Sequence, residues 1–334
     1  MVSGDLGRRH LLLQMAAALL LGWGVDAGAS NSFAQGYPSR PISLIVPFAS
    51  GGVGDVLSRP VAEALGNALG QRVLVENKPG ATGTIGAAFV QKSTPDGYTL
   101  LFGTSNELCM SPPLLPNLSY DPTKDFVPIT IVGKFPNVLV VRPDFPANNV
   151  EEFIAYARQN PGKVRIASTG VGGTNHLTLE IFKRLTNTDI LHIPYRGGGP
   201  ALTDVMGGHV DGLFATLPSA VVHVNGKLMK ALMVTDKKRS IALPDVPNAI
   251  ESKIPDLVVS TFNGVLAPRG TPPEIVAQLQ SELQKVIQSQ AIRDGILRVG
   301  AEPDPVSSAE FAEIIRRDLA YWTEAIKAIG IKLQ

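Results

Sequence analysis

Short apolar runs and helical repeats alternate along most of this chain. The apolar runs are rich in valine and isoleucine, and each is followed by turn residues and then by apolar positions at helical spacing. Strands are predicted near 42–47, 72–76, 99–103, 138–142, 164–168, 190–194, 211–215, 228–234 and 258–266. Helices are predicted near 55–69, 85–92, 150–159, 175–185, 200–207, 273–290 and 308–329. Strands that alternate with helices in this way predict an α/β fold with mostly parallel sheets.

No internal repeat and no low-complexity linker divides the chain. A chain of this length usually forms two domains, so these domains are expected to be joined by the strands themselves. The apolar segments 137–141 and 260–264 are candidates for the crossing strands. We therefore predict one lobe formed by 35–137 together with 262–334, and a second lobe formed by 138–261.

Two helix starts have distinctive chemistry. Thr271-Pro-Pro-Glu274 places a hydroxyl, two prolines and an acid in the order of a capping box. Pro60 lies past the first turn of the helix predicted from Asp55, where it removes a backbone hydrogen bond. We therefore expect a kink in that helix or a start later than Asp55.

Residues 1–34 have the pattern of an export signal. Arg8-Arg9 precede an apolar run at 11–25, and Ser32-Phe33-Ala34 places small residues before a cleavage site at Gln35. The apolar run is 15 residues long, shorter than the roughly 20 that a membrane-spanning helix needs. We predict a cleavable signal peptide and an exported protein. The paired arginines fit the twin-arginine route as well as the general secretory route, and both stay open.

Composition excludes several functional classes. The 30 basic and 29 acidic residues give a net charge of +1, which does not fit a nucleic-acid-binding protein. The single cysteine, Cys109, excludes an intramolecular disulfide and a thiolate zinc cluster. His176 and Glu180 lie one helical turn apart, but no third ligand accompanies them, so no metal site is predicted.

Four segments share the order of strand, glycine-rich turn and helix. They lie at 48–55, 103–106, 168–176 and 195–201. Glycine allows a ligand to approach the backbone, and free N–H groups at a helix N-terminus favour an anion. A turn of this kind can also serve only to pack a helix against a strand, but four together indicate a shared anion site at the carboxyl ends of the strands.

The glycine turns match no cofactor motif. No glycine-lysine pair is followed by serine or threonine, and Gly52-Val-Gly54-Asp-Val-Leu57 ends in leucine where a dinucleotide loop needs glycine. No cofactor is therefore predicted. The chain also lacks a G-x-S-x-G elbow, so Ser50, Ser105 and Ser168 show no sign of activation and no catalytic residue is assigned.

Two polar residues in these turns receive individual predictions. Asp55 would repel an anion, so its side chain is expected to turn away and hydrogen-bond the loop, which would fix the shape of the loop. His176 is interpreted as a polar side chain near the ligand, with a helix-cap role as the alternative. His192, His209 and His223 are interpreted as structural histidines.

The chain resembles a known family in six segments that occur in order. They are Pro41–Asp55, Val75-Glu-Asn-Lys-Pro-Gly-Ala-Thr-Gly-Thr-Ile-Gly86, Pro95-Asp-Gly-Tyr-Thr-Leu100, Tyr120-Asp-Pro-Thr-Lys-Asp-Phe126, Ile193-Pro-Tyr-Arg-Gly197 and Ala242-Leu-Pro-Asp-Val-Pro247. Together they are similar to the Bug-type extracytoplasmic solute receptors of tripartite tricarboxylate transporters. The similarity covers residues 37–330. It departs from the usual pattern in the helix-to-strand connection at 219–227, which is one residue shorter, and at Gly212 and Ala215-Thr216, around a strand end that faces the cleft.

The resemblance implies a periplasmic binding protein of the type II, Venus-flytrap form, with two α/β lobes and two hinge-crossing strands. Such a receptor captures a small carboxylate (a di- or tricarboxylate, an amino acid or an aromatic acid) and presents it to a membrane permease. It is expected to act as a monomer without a cofactor. A receptor for a signalling partner shares every cleft residue and stays an alternative, as does, more remotely, a periplasmic hydrolase or isomerase. Carried over to this sequence, the ligand-binding residues are Phe48, Ser50, Gly51, Gly52, Asp55, Thr104, Ser105, Ser168, Gly172, Thr174, His176, Tyr195, Gly197 and Gly198.

Overall fold

The structure is a computed structural model that describes residues 36–330. The predicted signal peptide at 1–34 lies outside the described residues. The fold lies within residues 38–330 and is a two-lobed α/β architecture in which a shared strand joins the sheets of the two lobes into one ten-stranded sheet.

The sheet of the first lobe contains five strands in the order β2-β1-β3-β9-β4, with a short β10 at the edge of β4. Its strands are β1 (Ile42–Val46), β2 (Val73–Asn77), β3 (Thr99–Thr104), β4 (Phe126–Val141), β9 (Ser260–Pro268) and β10 (Glu302–Pro303). β1 pairs in parallel with β2 and β3, whereas β9 is antiparallel to both of its neighbours.

The sheet of the second lobe is built on the C-terminal part of β4 and has the order β4-β7-β5-β6, with β8 also paired to β4. Its other strands are β5 (Arg165–Ser168), β6 (Leu191–Pro194), β7 (Gly212–Thr216) and β8 (Lys230–Val234). β5 is parallel to β6 and β7, but every pairing of β4 is antiparallel. The prediction of mostly parallel sheets is therefore wrong where the crossing strands lie, because these strands run against their neighbours.

β4 is shared by the two sheets. Its residues up to Pro136 pair with β9, and its residues from Asn137 pair with β7 and β8. The strand begins twelve residues before the predicted start at Val138. Pro128 and Pro136 lie in this first part, and the register with β9 shifts twice beyond Pro128. Because prolines remove ladder hydrogen bonds, no strand was predicted for this segment. The strand nevertheless forms, with an irregular register around the prolines.

The helices lie beside these sheets. They are α1 (Val53–Leu69), α2 (Thr84–Gln91), α3 (Ser111–Leu114), α4 (Val150–Gln159), α5 (Thr174–Thr186), α6 (Gly198–Met206), α7 (Leu217–Asn225), α8 (Pro273–Gln288), α9 (Gln290–Arg298) and α10 (Ser308–Ile329). A short 3₁₀ turn at Ala81–Gly83 precedes α2, and a π-helical turn at Asn106–Met110 follows β3. Within residues 36–330, no helix has both the length and the apolar character needed to cross a bilayer.

Two predicted helix starts need correction. α1 begins at Val53 with Pro60 inside it, so the later start is wrong. The capping box at Thr271 is also wrong, because Pro272 occupies the N-cap position and the Thr271 hydroxyl donates to the Pro268 carbonyl at 2.8 Å. The predicted helix at 273–290 is interrupted at Ser289, which has an extended backbone.

Aromatic side chains fill the core on each side of the crossing. In the first lobe, Phe262 of β9 meets Phe311 of α10 edge to face, with ring centroids 5.2 Å apart. In the second lobe, Phe153, Phe182 and Phe214 pack in a row with centroids 5.9 and 5.4 Å apart. All five rings are fully buried, so each lobe has a rigid core that can support loops facing the other lobe.

Candidate functional site

A small chamber lies where loops of the two lobes face each other. The inner chamber, as we call it, has a volume of about 40 Å³, enough for a few water molecules or a group the size of a carboxylate. None of its lining residues carries a charge. They are Phe48, Ala49, Gly52, Val53, Gly54, Thr104, Ser105, Asn106, Phe135, Thr169, Asn175, Gly198, Thr216, Ser219, Thr261, Phe262 and Asn263.

Four helices begin at the inner chamber. The lining residues include Gly52 at the N-cap of α1, Asn175 in the first turn of α5, Gly198 at the start of α6 and Thr216 at the N-cap of α7. α1 comes from the first lobe and the other three come from the second. The positive ends of these helix dipoles meet around one space, which favours an anion there without a cationic side chain.

Asp55 fixes the conformation of the loop after β1. Its carboxylate accepts a hydrogen bond from the Gly51 N–H at 2.7 Å and also contacts Asn77 and Arg59 at 3.2 and 3.0 Å. The expected hydrogen bond between the Asp55 side chain and its own loop is thereby confirmed. The amide of Gly51 is used in this way, whereas the amides of Gly52, Val53 and Gly54 have no acceptor within residues 36–330.

The end of β3 contributes three polar side chains to the chamber. Ser105 accepts a hydrogen bond from the Phe262 N–H at 3.0 Å, and Thr104 accepts one from the Asn106 N–H at 3.1 Å. On the neighbouring β9, Asn263 is fully buried, and its Oδ1 has no hydrogen-bond partner within residues 36–330. A buried polar atom of this kind requires a partner, so the chamber is built for a ligand or ordered water.

The loop between β5 and α5 is shaped by a cluster of histidines. Ser168 Oγ lies 2.6 Å from His192 Nε2 and donates to the Gly170 carbonyl at 3.1 Å. The His192 ring stacks on His176 with centroids 4.0 Å apart, and His176 Nδ1 accepts from the Gly172 N–H at 3.0 Å. Burial lowers the pKa of His176 and lowers that of His192 to about 3, so both rings are neutral.

Ser168 is fully buried. Its hydroxyl lies within hydrogen-bond distance of both the Gly170 carbonyl and His192 Nε2, and the tautomer of His192 decides which of the two it donates to. The pair fixes the loop that leads to α5.

The two lobes touch across the cleft beside the chamber. The Thr82 hydroxyl donates to the Val171 carbonyl at 3.0 Å, and Asn106 Oδ1 accepts from both the amide and the hydroxyl of Thr174 at 2.8 Å. A Cβ added at Gly197 would lie 3.6 Å from Ala49, so these loops also approach closely. The two lobes are therefore in contact in this structure.

A buried polar chain connects the chamber to the crossing strands. Thr169 Oγ1 donates to Asn175 Oδ1 at 2.6 Å, and Asn175 Nδ2 donates to Asn137 Oδ1 at 3.3 Å. Asn137 is the residue at which β4 passes from one sheet to the other, and its N–H donates to Thr235 at 2.9 Å. A polar lining residue of the second lobe is thus linked directly to the crossing point.

A wider cavity lies outside the inner chamber. This outer cleft has a volume of about 1,120 Å³ and shares Phe48, Ala49 and Thr169 with the inner chamber. Tyr195 and Gly172 line it. The Tyr195 hydroxyl donates to Asp204 at 2.5 Å, and burial followed by this bond raises the pKa of Tyr195 to about 12.

The predicted ligand residues are distributed over three environments. The inner chamber is lined by Phe48, Gly52, Thr104, Ser105 and Gly198. The outer cleft is lined by Phe48, Gly172 and Tyr195. The remaining predicted residues, which line neither space, are Ser50, Gly51, Asp55, Ser168, Thr174, His176 and Gly197. A direct ligand contact from any predicted residue stays a prediction.

Several polar lining residues were not predicted. They are Asn106, Thr169, Asn175, Thr216, Ser219, Thr261 and Asn263. Thr216 lies at the strand end already assigned to the cleft, and Asn106, Thr169 and Asn175 lie inside the glycine-rich segments. The position of these residues in or beside a predicted ligand turn could have identified them. Thr261 and Asn263 lie within a predicted strand, and nothing in the sequence there indicated a ligand contact.

Comparison with known proteins places the chain in a family. Residues 57–331 match the family described as "Tripartite tricarboxylate transporter family receptor". Protein BugT of Bordetella pertussis is 35% identical over 302 residues, which cover 90% of this chain and 93% of BugT.

Solved structures agree with this assignment. Rpa4515 of R. palustris, solved with adipate, has a TM-score of 0.86 and 33% identity, covering 89% of this chain and 99% of that chain. MatC (Rpa3494) from Rhodopseudomonas palustris, solved with bound malate, has a TM-score of 0.83 and 30% identity, covering 87% of this chain and 100% of that chain. The fold, the chamber and these similarities show that the chain belongs to the tripartite tricarboxylate transporter receptor family, as a Bug-type solute-binding protein.

Proposed function

We propose that this protein captures a small carboxylate in the inner chamber and delivers it, in the periplasm, to the membrane permease of a tripartite tricarboxylate transporter. One observation carries the proposal. Within residues 36–330, the amides of Gly52, Val53 and Gly54 have no acceptor, and they belong to one of four helix N-termini around a chamber whose lining residues carry no charge. A carboxylate satisfies such amides and interacts favourably with the helix dipoles.

The relatives support a dicarboxylate as the first class to test. Rpa4515 was solved with adipate and MatC with malate. The inner chamber has room for one carboxylate group, and the outer cleft beside it can hold the rest of the molecule. One carboxylate group is therefore assigned to the helix N-termini, and the remainder of the ligand decides specificity.

Capture involves movement of two lobes. We assign 35–137 with 262–334 to one lobe and 138–261 to the other, which places the crossing in β4 near Asn137. The ligand favours the closed form because it gains contacts from both lobes only there, and a ligand shifts such an equilibrium by its difference in affinity. Contacts between the lobes at Thr82 and Asn106 contribute to the same form.

The experiment combines identification with a binding test. Native mass spectrometry of the purified mature protein reports any acid that co-purifies. Thermal unfolding is then measured with succinate, malate, adipate, citrate, aspartate and benzoate, since a ligand at about 100 times its Kd adds about 2.7 kcal/mol. The diamide of the best acid is the matched neutral control and should give no shift.

The proposal predicts stabilisation by at least one acid and its recovery unchanged after incubation. Calorimetry with the best acid gives the affinity and a stoichiometry of one. Absence of any shift across the acids, or an equal shift with the diamide, would contradict a carboxylate site. Chemical conversion of the bound acid would indicate an enzyme.

A further inference from the structure

A buried carboxyl group lies directly behind the inner chamber. Glu107, in the π-helical turn at Asn106–Met110, has no exposed surface. The Thr104 N–H donates to its Oε1, and its Oε2 lies 2.5 Å from the Thr104 hydroxyl. Within residues 36–330, no basic side chain forms an ion pair with it. Its only side-chain partner there is Thr104, a residue that lines the chamber.

The segment is held firmly in place. The Tyr120 hydroxyl donates to the main-chain carbonyl of Glu107 at 2.7 Å. A Cβ added at Gly83 would lie 2.8 Å from Glu107 Oε2 and 3.2 Å from the Phe48 ring. The carboxyl group is therefore packed between Thr104 and the Gly83 backbone and has little freedom to turn elsewhere.

The protonation state of Glu107 decides what the Thr104 hydroxyl can offer a ligand. A hydroxyl has one hydrogen and two acceptor sites, and the Asn106 N–H uses one acceptor site at 3.1 Å. If Glu107 is ionised, Thr104 must donate to it, which leaves only a lone pair for the chamber. If Glu107 is protonated, its acid hydrogen takes the second acceptor site, and the Thr104 hydrogen is left for a ligand.

The surroundings favour the protonated form. Burial raises the pKa of Glu107 to about 8, against the opposing effect of the Thr104 hydrogen bonds. Cys109 and Tyr120 interact with it electrostatically, and burial raises the pKa of both, so both are neutral. β3, the turn at Ala81–Gly83 and α3 carry no ionisable side chain, and on α10 Asp318 acts on Cys109. Among residues 36–330, no cationic side chain acts on the pKa of Glu107.

We propose that Glu107 is a positioning residue whose neutral acid form orients the Thr104 hydroxyl as a hydrogen-bond donor to the ligand carboxylate. The proposal rests on the proposed function, since it requires an acid in the inner chamber. Only the placement of two hydrogens is involved, and no bond of the ligand changes. A negative ligand and an ionised Glu107 disfavour each other, so carboxylate affinity should fall as the pH rises past the point where Glu107 ionises.

The first test is the pH dependence of binding. The probe is whichever of succinate, malate, adipate, citrate, aspartate or benzoate the wild type binds most tightly, measured by calorimetry at pH 7 and pH 9. With Glu107 titrating at about 8, the wild type should bind about tenfold more weakly at pH 9. Glu107→Gln keeps the shape and a permanent donor to Thr104, so its affinity should match the wild type at pH 7 and stay constant to pH 9.

Variants of Thr104 provide the second test. Thr104→Val removes the hydroxyl and should weaken binding at pH 7 by about tenfold or more, the usual effect of losing a hydrogen bond to a charged group. It should also reduce the pH dependence, because the part that passes through the Thr104 hydroxyl is lost while the repulsion between ionised Glu107 and the ligand remains. Thr104→Ser keeps the hydroxyl and is the matched control, which should retain both the affinity and the pH dependence.

The outcomes separate this proposal from the proposed function. An affinity that is equal at pH 7 and pH 9 in the wild type, or that falls equally in Glu107→Gln, overturns the role of Glu107. Failure of the wild type to bind any of the acids at pH 7 overturns the proposed function and this proposal together. If Glu107→Gln does not fold, the wild-type pH dependence and the Thr104 variants decide. An infrared band of a protonated carboxyl group at neutral pH, lost above pH 9, supports the assigned form, and its absence contradicts it.

Discussion

Asn106 of the first lobe caps the helix that begins at Thr174 of the second lobe. Its Oδ1 accepts hydrogen bonds from the Thr174 amide and hydroxyl, both at 2.8 Å. A helix cap normally comes from the residue just before the helix, but Gly173 at that position has no side chain. The first turn of α5 is therefore completed only while the lobes are in contact.

Asn106→Ala should weaken closure and hence ligand affinity. Loss of a cap costs about 1 kcal/mol, and loss of the amide facing the chamber adds to it, so we expect Kd to rise about tenfold. Calorimetry with the best acid measures this change. Asn149→Ala is the matched control, because Asn149 caps α4 within its own lobe by accepting from the Glu152 N–H at 2.8 Å. It should reduce stability with the affinity unchanged, and an equal loss of affinity in both variants would count against the capping role across the cleft.

Gly52→Asp should separate helix stability from ligand binding. Gly52 has an extended backbone at the N-cap of α1, and an added Cβ would meet only the Ala49 carbonyl at 3.8 Å. Aspartate is a favoured N-cap residue, so the melting temperature should be maintained or rise. The new carboxylate would lie beside the anion, where a like charge about 4 Å away costs about 4 kcal/mol at an effective dielectric constant of about 20. Affinity should therefore fall by at least about 100-fold.

Gly52→Asn is the neutral control for that variant. It has nearly the same shape and the same capping ability, so it should weaken binding much less. Thermal unfolding and calorimetry of the two variants give both readouts. Equal affinities would show that the ligand charge does not lie near the start of α1.

Acid should destabilise the protein through the stacked histidines. The folded-state pKa of His192 is about 3 and that of His176 is also lowered, whereas an unfolded histidine titrates near 6.5. The unfolded chain therefore binds more protons below pH 6.5, so the stabilisation is complete above that pH and is lost as the pH falls. For His192 alone, the loss at pH 5 is about 1–2 kcal/mol.

Urea unfolding between pH 7.5 and pH 5 measures this effect. His192→Gln keeps a side chain that can donate to or accept from Ser168 but does not titrate, so the stability of this variant should depend less on pH. The variant His209→Gln, outside the stacked pair, serves as the reference. An identical slope in His192→Gln and the wild type would refute the assignment.

Two glycine-to-alanine changes should have opposite effects on stability. A Cβ at Gly264 of β9 would lie 2.5 Å from the Phe311 ring and 2.9 Å from the Thr130 carbonyl. Such overpacking typically costs about 1–3 kcal/mol. Gly295 in α9 has open space at the same position, and alanine there should stabilise the helix by about 0.5–1 kcal/mol. Chemical denaturation of both variants checks the pair, and a neutral Gly264→Ala would show that β9 and α10 pack less closely.

Much of the fold could be predicted because periodicity and turn chemistry are local. The helix at Val150–Gln159 and the helix at Ser308–Ile329 coincide with their patterns, and the bond from Gly51 to Asp55 followed from placing an acid beside an anion loop. α7 was not predicted, since Leu217–Asn225 is short and its apolar pattern is weak. The first part of β4 was not predicted, because Pro128 and Pro136 disfavour a strand there.

The candidate site could be predicted only in part because burial depends on distant packing. The turns at Gly52, Thr104 and Gly198 were recognisable from glycine and position, and these residues line the chamber. Glu107 received no prediction, because nothing in the sequence around it indicates burial, and only the fold shows that it is fully buried. Asn106 likewise gains its role from Thr174, which is 68 residues away.

The place of β9 in the first sheet also determines when that sheet can be completed during synthesis. β9 lies between β3 and β4, yet it leaves the ribosome only after the whole of the second sheet has been made. Until then, β3 and β4 have exposed edges, which are prone to pair with other chains. Chains that end before Ser260 should therefore be protease-sensitive and bound by holdase chaperones, whereas chains that include both β9 and α10 should be resistant.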